Sequence, residues 1–450
     1  MRLHKETVED VLKLALPAIG EMVLYMMIGV FDTMMVGKYG GNLAVSSVGL
    51  STEIIYTFAN ILIAVGVSVG ITSLVARKIG SKNYELAEEY ATLGFCATMI
   101  ISLLFSLFIL LFSSSILRLA GAEENVINMA SPYMKIASIG IFFNMLMNSL
   151  NAMLRGFGNT KTPLFASAMI NVINICLDFL LIFGKFGFPE LGVRGAAIAT
   201  SIAQVSGFGF ICYYVAYKSK IKINSKYIRD FKFQMLKDLL KLSVPSSMQE
   251  AAFSISRLIS NFLIISLGTI QFAANQITTT IESISFMPGW GVAIAATTLV
   301  GHKVGEKNYE KAKDYAHTSI VLGSGIMLVC SLLFIIMPKL LINLFITSSE
   351  VDVINLGSIC LMIAAIEQPF MGISMIAGGA LKGAGNVKTP FIVSFISSWV
   401  LRLPFMIYFV YFLKLSVIYV WMITTIQWIF DGLLIYYLFK KYFNKLKTTV

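Results

Sequence analysis

The chain has 450 residues, of which 57% are hydrophobic and only 13% are charged, and its mean hydropathy is +0.79. Soluble globular domains carry about 25% charged residues, so this composition excludes an ordinary soluble enzyme or binding domain. The formal net charge of +11 does not require a nucleic-acid partner, because the basic residues lie mostly in loops between apolar runs, where membrane topology accounts for them.

Twelve apolar runs follow one another along the chain, and each predicts a membrane-spanning helix. The run Leu93–Phe112 contains no charged residue, and about 20 consecutive apolar residues are enough to cross a bilayer. The first span contains Pro17 and lacks a small-residue cleavage site, so we expect a retained anchor and not a signal peptide. The predicted spans lie near residues 11–37, 43–75, 91–113, 131–154, 163–184, 194–217, 240–266, 272–300, 316–338, 353–380, 390–412 and 416–439. The predicted fold class is therefore an all-α integral membrane protein with twelve transmembrane helices.

The basic residues of the predicted loops indicate the orientation of the chain. One side of the membrane receives 26 lysines and arginines and the opposite side six. Cytoplasmic loops carry the excess of positive charge, so both termini and the basic linker 221–238 are predicted to lie in the cytoplasm, with the chain crossing the cell (inner) membrane many times. We expect these loops to contact anionic membrane lipids and the protein to be a monomer.

Two motifs occur twice and reveal an internal repeat. "LRGFGNTKTP" at 154–163 and "LKGAGNVKTP" at 381–390 agree at seven of ten positions, and "ARKIGSKNYELAEEYA" at 76–91 matches "GHKVGEKNYEKAKDYA" at 301–316 at nine of sixteen. The repeat predicts two lobes of six helices related by a pseudo-two-fold axis along the membrane normal. The predicted domains are an N-terminal lobe 1–220, the cytoplasmic linker 221–238 and a C-terminal lobe 239–450, and the cleft between the lobes is the expected place for a substrate.

The repeated motifs also predict local structure at the helix ends. The glycines of the first motif indicate a tight turn, and Thr162 and Thr389 are predicted to cap the helices that follow it. "KNYE" predicts the start of a short amphipathic surface helix in each half, with Asn83 or Asn308 as its cap.

No catalytic or metal-binding cluster is recognisable. The five cysteines lie inside predicted spans at unrelated spacings, and the three histidines are far apart in the sequence, whereas metal sites and disulfide frameworks have characteristic spacings. The Gly-rich turns follow a membrane helix and not a strand, so they do not fit a phosphate-binding loop. We therefore expect no enzyme activity, no cofactor and no resident metal.

Eleven charged residues are predicted to lie inside the membrane and away from the loops, where each needs a partner, water or a function. The acidic ones are Glu21, Asp32, Glu53, Asp178, Glu250, Glu282, Glu367 and Asp431, and the basic ones are Lys135, Arg257 and Arg402. The excess of acidic groups favours binding of cations.

In the first half, Asp32 and Asp178 are the acidic residues placed at plausible mid-membrane depth. Asn174 precedes Asp178 by four residues, so the two side chains lie one turn apart on the same helix face. A carboxylate and an amide oxygen that converge in this way suit a small hard cation, and a desolvated carboxyl group can carry a proton instead. The coupling ion, Na⁺ or H⁺, stays open at this point.

In the second half, the acidic residues have two interpretations. In the functional one, an unpaired Glu282 or Glu367 faces the cleft and receives a cationic substrate. In the structural one, Arg257 or Arg402 pairs with a carboxylate and holds helices together.

Four stretches carry a family resemblance: "FDTMMVGKYG", "NVINICLDFLLIFG" with "GVRGAAIAT", "AANQITTTIESISFMPGWGVAIAATTLVGHKVG", and the paired Gly-Asn turns. Together they resemble the multidrug and toxic compound extrusion (MATE) family over nearly the whole chain. The resemblance implies two six-helix lobes around a V-shaped cleft. It also implies a secondary active antiporter that exports cationic amphipathic compounds in exchange for Na⁺ or H⁺ by alternating access. It assigns the cation site to Asp32, Asn174, Asp178 and Thr200, and a bend in the first helix to Pro17.

The second half departs from this family pattern. Some members have a coupling aspartate where this chain has Met371, and Glu367 lies one turn earlier. The candidates for substrate or proton binding in the second half are Glu250, Gln276, Glu282 and Glu367.

Three other functions are alternatives to a drug antiporter. A flippase of lipid-linked sugars, from the same wider superfamily, would need a basic cleft for a diphosphate, and the acidic excess argues against it. A membrane-embedded enzyme would need a clustered acid, base or metal site. A plain channel is disfavoured by the two-lobe repeat.

Overall fold

The computed structural model describes residues 4–229, 232–346 and 350–448, and within these ranges every regular element is a helix. The α-helices are α1 (Lys5–Ala59), α2 (Ser68–Gly80), α3 (Tyr84–Leu119), α4 (Glu124–Phe157), α5 (Lys161–Phe183), α6 (Val193–Tyr217), α7 (Lys226–Arg229), α8 (Phe233–Ile265), α9 (Thr269–Gly305), α10 (Tyr309–Ile336), α11 (Pro338–Asn343), α12 (Val351–Gly383), α13 (Lys388–Phe395), α14 (Leu403–Met406) and α15 (Val417–Thr448). The π-helical segments are Asn60–Val67, Ile396–Arg402 and Ile407–Phe412.

Eleven helices in the described ranges are long and apolar enough to cross a membrane, so the predicted fold class is confirmed. The first two are Lys5–Gly41 and Leu43–Gly80, which are separated inside α1 because Gly41 has a φ of 60° and a ψ of −150°. The predicted seventh span corresponds to α8, which has 33 residues. α8 is long enough to cross a membrane, but it is not among the eleven helices that are also apolar enough. It carries five charged residues: Lys237, Asp238, Lys241, Glu250 and Arg257. By composition, eleven of the twelve predicted spans are thus confirmed.

Asparagine side chains cap the paired helices α3 and α10, as predicted. Asn83 Oδ1 accepts a hydrogen bond from the Leu86 amide at 3.1 Å, and Asn308 Oδ1 accepts one from the Lys311 amide at 3.1 Å. The prediction that these helices are short was wrong: α3 has 36 residues and α10 has 28, because each apolar run continues the helix without a break.

The two Gly-Asn turns also share one geometry. Gly158 follows α4 with a φ of 95°, a conformation that glycine adopts without steric cost. Asn159 Oδ1 then accepts a hydrogen bond from the Thr162 amide at 3.1 Å, and Asn386 Oδ1 accepts one from the Thr389 amide at 3.2 Å. The asparagines therefore cap α5 and α13. The prediction that the threonines do so was wrong, since they already lie in the first turn.

The helices form two compact units. The first unit comprises residues 20–247, and the second unit comprises the residues up to Ile19 together with those from Met248 onward. α1 thus contributes its first segment to the unit that holds α9–α15, and α8 contributes its first segment to the unit that holds α2–α6. The predicted domain boundaries near residues 220 and 239 stay a prediction.

Each unit has its own apolar core. In the first unit, Val36, Val48 and Ile182 pack with Ala197 and other residues of α1, α4, α5 and α6. In the second unit, Val11 from α1 packs with residues of α9, α10, α12, α13 and α15. The core of the first unit fixes the relative positions of α1, α5 and α6, which carry the residues of the candidate site.

Candidate functional site

Four residues predicted from the sequence meet in the first unit, and we refer to Asp32, Asn174, Asp178 and Thr200 as the acidic site. Their residues are at most 8% exposed. The Thr200 hydroxyl donates a hydrogen bond to Asp32 Oδ2 at 3.1 Å and accepts one from Asn174 Nδ2 at 3.2 Å. The carboxyl groups of Asp32 and Asp178 lie close to each other. Helices α1, α5 and α6 therefore bring two carboxyl groups, an amide and a hydroxyl to one point.

Two features bring the residues of the acidic site together: the spacing of Asn174 and Asp178 on α5, and the close packing of α6 against α5. Asn174 and Asp178 are four residues apart and share one face of α5. α6 approaches α5 at Gly195, where a Cβ atom would lie 2.5 Å from the carbonyl oxygen of Leu181. A larger residue at that position would push the helices apart, and Thr200, little more than one turn further on, would lose its contact with Asn174.

The acidic site contains buried oxygen atoms that have no hydrogen-bond partner among the described residues. They are Asp32 Oδ1, Asn174 Oδ1, Asp178 Oδ1 and Asp178 Oδ2. Burying polar atoms unpaired costs free energy, and two adjacent carboxylates need compensating positive charge. A proton or a small cation with oxygen ligands would supply it. No group of three or more His, Cys, Asp or Glu side chains that could hold a metal ion occurs in the described part of the chain.

Two tyrosines beside the aspartates were missed by the sequence analysis. Tyr133 on α4 is 2% exposed and lies close to Asp32 and Asp178, and Tyr56 on α1 lies close to Asp32. A tyrosine inside an apolar span is usually a packing residue, so the sequence carried no signal for either position. Their phenol groups are weakly polar and lie next to the carboxyl groups of Asp32 and Asp178.

Apolar residues close one side of the acidic site. Val36, Ile182 and Ala196 lie about one helical turn from its residues on α1, α5 and α6, and they cluster with Val48 and Tyr133. Such packing excludes water and strengthens electrostatic interactions within the site. Binding or loss of one positive charge at the carboxyl pair would therefore change the local free energy more than it would at a solvated position.

The structure brings together two of the four residues predicted in the second half. Glu282 on α9 and Glu367 on α12 have carboxyl groups that lie close to each other. Glu367 is fully buried, and its Oε2 accepts a hydrogen bond from Thr425 Oγ1 at 3.1 Å. Arg402 lies close enough to both carboxyl groups for their charges to interact, and the structural and functional interpretations of this cluster both stay predictions.

The other two predicted residues lie elsewhere. Glu250 on α8 is near Lys382 and Arg257, and Gln276 on α9 is exposed. Met371, where some family members have an acid, is 1% exposed. The roles predicted for all these residues, and for the acidic site, stay predictions.

Pro17 lies within α1, just before Ile19 and Gly20, where the chain passes from the second unit to the first. The structure thus places the predicted bend at a boundary between packed units. Its role as a hinge stays a prediction.

The apolar helices and the acidic pair buried between them define a multi-pass helical membrane protein. Within that class, the chain belongs to the MatE family, which it matches over residues 17–180 and again over residues 245–408. The family resemblance predicted from the sequence is confirmed. The two matches begin at Pro17 and Pro245, in agreement with the internal repeat.

Individual relatives span nearly the whole chain. The probable multidrug resistance protein NorM of Thermotoga maritima is 32% identical over 423 residues, which cover 93% of this chain and 90% of that protein. The uncharacterized transporter YisQ of Bacillus subtilis is 29% identical over 390 residues, covering 86% of this chain and 84% of YisQ. A solved multidrug resistance MATE family transporter of the MOP superfamily, in an outward-facing conformation, aligns with a TM-score of 0.90 over 98% of this chain and 97% of its own, at 24% identity. At that identity the structural match shows the fold alone.

Proposed function

We propose that this protein is a secondary active antiporter that exports cationic amphipathic compounds in exchange for Na⁺ or H⁺. The observation that carries the proposal is the acidic site, where four buried oxygen atoms have no hydrogen-bond partner among the described residues. Membership of the MatE family and the multidrug resistance proteins among its relatives support the substrate class. The protein is proposed to act as a transporter and not as an enzyme.

The proposed mechanism is alternating access driven by charge neutralisation at the acidic site. A cation or proton that reaches Asp32 and Asp178 cancels the repulsion between their carboxylates and changes the packing of α1 against α5 and α6. This favours the state that releases the exported compound. Loss of the cation on the other side restores the affinity for a new substrate, because the two ligands prefer different conformations.

The proposed membrane topology follows the loop charges. Both termini and the basic linker between α6 and α8 lie on the cytoplasmic side of the cell membrane, in accordance with the positive-inside rule. In this orientation, the substrate enters from the cytoplasm, and the coupling cation moves inward down its gradient.

The test is ethidium efflux from vesicles that hold the purified protein, with sodium and proton gradients imposed separately. Wild type is expected to move ethidium under at least one gradient. Asp32→Asn and Asp178→Asn are each expected to abolish gradient-driven efflux, because each removes one of the two negative charges that attract the coupling cation.

Asp352→Asn is the matched control, since Asp352 is an exposed acid at the start of α12. It should transport like wild type. Full gradient-driven efflux in both acidic-site variants would overturn the assignment of the site. Failure of wild type under both gradients, with translocation of a lipid-linked sugar instead, would overturn drug antiport.

A further inference from the structure

Asp431 is a buried acidic residue of α15 that takes no part in the sites described above. It is 3% exposed and lies inside the predicted twelfth span. The hydroxyl of Ser374 on α12 donates a hydrogen bond to Asp431 Oδ1 at 2.5 Å, and that of Ser397 on the π-helical segment Ile396–Arg402 donates one to Asp431 Oδ2 at 2.6 Å. Three helical elements of the second unit therefore meet at one carboxyl group. We refer to Asp431, Ser374 and Ser397 as the serine cluster.

Close packing of α15 on α12 places Asp431 against Ser374. Gly432 follows Asp431 in the chain, and a Cβ atom on it would lie 2.6 Å from the carbonyl oxygen of Phe370. Ser374 is four residues beyond Phe370 and shares its face of α12. The π-helical segment supplies Ser397, and π-helical turns are rare in proteins and frequent at functional sites. Backbone packing thus sets the short distances of the serine cluster.

No charged group in the described part of the chain neutralises Asp431. Its two serine hydrogen bonds are its only polar contacts there, and no titratable group on the elements packed against α15 is close enough for its charge to interact with Asp431. A carboxylate inside a membrane is costly without a partner and marks a functional site. The charged residues of α12, α13 and the π-helical segment are Asp352, Glu367, Lys382, Lys388 and Arg402.

The hydrogen bonds of the serine cluster can be satisfied in both protonation states of Asp431. When Asp431 is ionised, both serine hydroxyls donate to it, and distances of 2.5 and 2.6 Å are typical of a hydroxyl donor to a carboxylate. When Oδ2 carries a proton, that proton can be donated to the Ser397 oxygen, and the Ser397 hydroxyl then donates to the Ser394 carbonyl oxygen at 3.1 Å. A hydroxyl group has one donor and two acceptor positions, so only hydrogen atoms change place. The serine cluster can therefore take up and release a proton without repacking.

A buried amide oxygen next to the serine cluster lacks a partner. Gln427 precedes Asp431 by four residues and lies on the same face of α15. Its Oε1 atom is buried and has no hydrogen-bond partner among the described residues. A protonated carboxyl group can donate a hydrogen bond, whereas an ionised one only accepts. Protonation of Asp431 would thus offer this acceptor a donor one helical turn away.

We propose that Asp431 is a proton-binding site of the second unit, separate from the acidic site, and that Ser374 and Ser397 support its carboxyl group in both protonation states. Ser374 is the most exposed member of the cluster, at 9%, and its hydroxyl is the point where a proton from water enters. The part of Asp431 in transport rests on the proposed antiport: a proton bound in the second unit adds to the charge exchanged at the acidic site.

The experiment is infrared difference spectroscopy of the purified protein in detergent, recorded at a series of pH values. Only a protonated carboxyl group gives an acid carbonyl band, so subtracting the spectrum of Asp431→Asn from that of wild type isolates the band of Asp431. Asparagine has nearly the same shape as aspartate, and the variant is expected to fold. The isolated band is expected to be present at acidic pH and lost at alkaline pH.

Two serine variants connect the band with the serine cluster. Ser374→Ala removes the hydrogen bond to Asp431 Oδ1, which is the carbonyl oxygen when Oδ2 carries the proton, so the band is expected to move to higher frequency. Ser358→Ala is the matched control, because Ser358 is also buried on α12 but its hydroxyl donates to the Ile354 carbonyl of its own helix at 2.6 Å. That control should leave the band unchanged, and an equally unchanged band in Ser374→Ala would contradict the assignment.

A band of constant amplitude at every pH, or no band at any pH, would overturn the proposal, because the carboxyl group would then stay in one state. A band that follows the Na⁺ concentration at constant pH would assign Asp431 to Na⁺ instead. In proton-driven antiport, Asp431→Asn is expected to exchange fewer protons per ethidium than wild type, and an unchanged ratio would overturn its part in coupling.

The infrared readout needs no substrate and is therefore independent of the proposed function. A titrating band in a protein that moves no ethidium would uphold the proton site and reject antiport. Normal antiport in a protein whose Asp431 does not titrate would do the reverse.

Discussion

Thr200→Val tests whether the hydroxyl at the centre of the acidic site holds its two neighbours. Valine has nearly the same volume, so the change removes the oxygen without opening a cavity. Two hydrogen bonds are lost, one to Asp32 Oδ2 at 3.1 Å and one from Asn174 Nδ2 at 3.2 Å. A hydrogen bond to a charged acceptor contributes about 1.5–3 kcal/mol and one between neutral groups about 1 kcal/mol. The free energy of unfolding is therefore expected to fall by about 2.5–4 kcal/mol.

The assay is unfolding of the purified protein in detergent, followed as a function of denaturant or temperature. Thr200→Ser keeps the hydroxyl and should retain most of the stability. Thr98→Val is the matched control, because Thr98 is fully buried and its hydroxyl donates to the Gly94 carbonyl of its own helix at 2.9 Å. That control should cost about 1 kcal/mol.

The same variant is also expected to weaken binding of the coupling cation, because the hydroxyl oxygen would be one of its ligands. A loss of about 1.4 kcal/mol corresponds to a tenfold rise in the dissociation constant. If Thr200→Val is no less stable than Thr98→Val and binds the cation as tightly as wild type, the bridging role of Thr200 is refuted.

Two more predictions concern buried charges. Glu21 forms a buried ion pair with Arg155 in the first unit. Glu21→Gln and Arg155→Met should each lower the free energy of unfolding by about 3–5 kcal/mol, because each leaves one buried charge unpaired. Glu21→Gln combined with Arg155→Met should cost less than either single change, and strictly additive losses measured in the same unfolding assay would contradict this pairing. Arg402→Gln should destabilise the protein more than Glu367→Gln, since it deprives both Glu282 and Glu367 of a nearby cation. Equal losses on thermal unfolding would argue against that cluster.

The acidic site was predictable from the sequence to the extent that its geometry is local. Asn174 and Asp178 are four residues apart on one helix, and helical periodicity alone places them together. Asp32 is recognisable as a candidate from its sequence context alone, because an acidic residue inside an apolar run is costly unless it has a function. Thr200 came only from the family resemblance, because its place depends on how α6 packs against α5 at Gly195, a tertiary contact that no local pattern specifies.

Pairings between distant helices could not be predicted for the same reason. Glu21 and Arg155 are 134 residues apart, so no local pattern indicates that they pair. Tyr133 is neutral, so a search for costly charges overlooked it. The apolar run that predicts a span at α8 also contains Lys241, Glu250 and Arg257, and these residues make α8 more polar than the other predicted spans.

The candidates for substrate or proton binding in the second half show that residue type alone does not predict which side chains meet in the folded protein. Glu282, Glu367, Glu250 and Gln276 are predicted from residue type inside apolar spans, in a half of the chain that departs from the family pattern. The structure joins only the first two with Arg402, and it leaves Gln276 exposed. Which acid meets which base is decided by helix packing and not by the sequence of any one helix.

The most direct test of the central claim is the reciprocal flux. Vesicles that hold the purified protein are given an ethidium gradient and no ion gradient, and the lumenal Na⁺ concentration and pH are recorded. Coupling between two ligands is reciprocal, so wild type is expected to move Na⁺ or H⁺ against the ethidium flux, and Asp178→Asn is expected to move neither. Ethidium movement without any cation flux in wild type, or an undiminished cation flux in Asp178→Asn, would contradict the account.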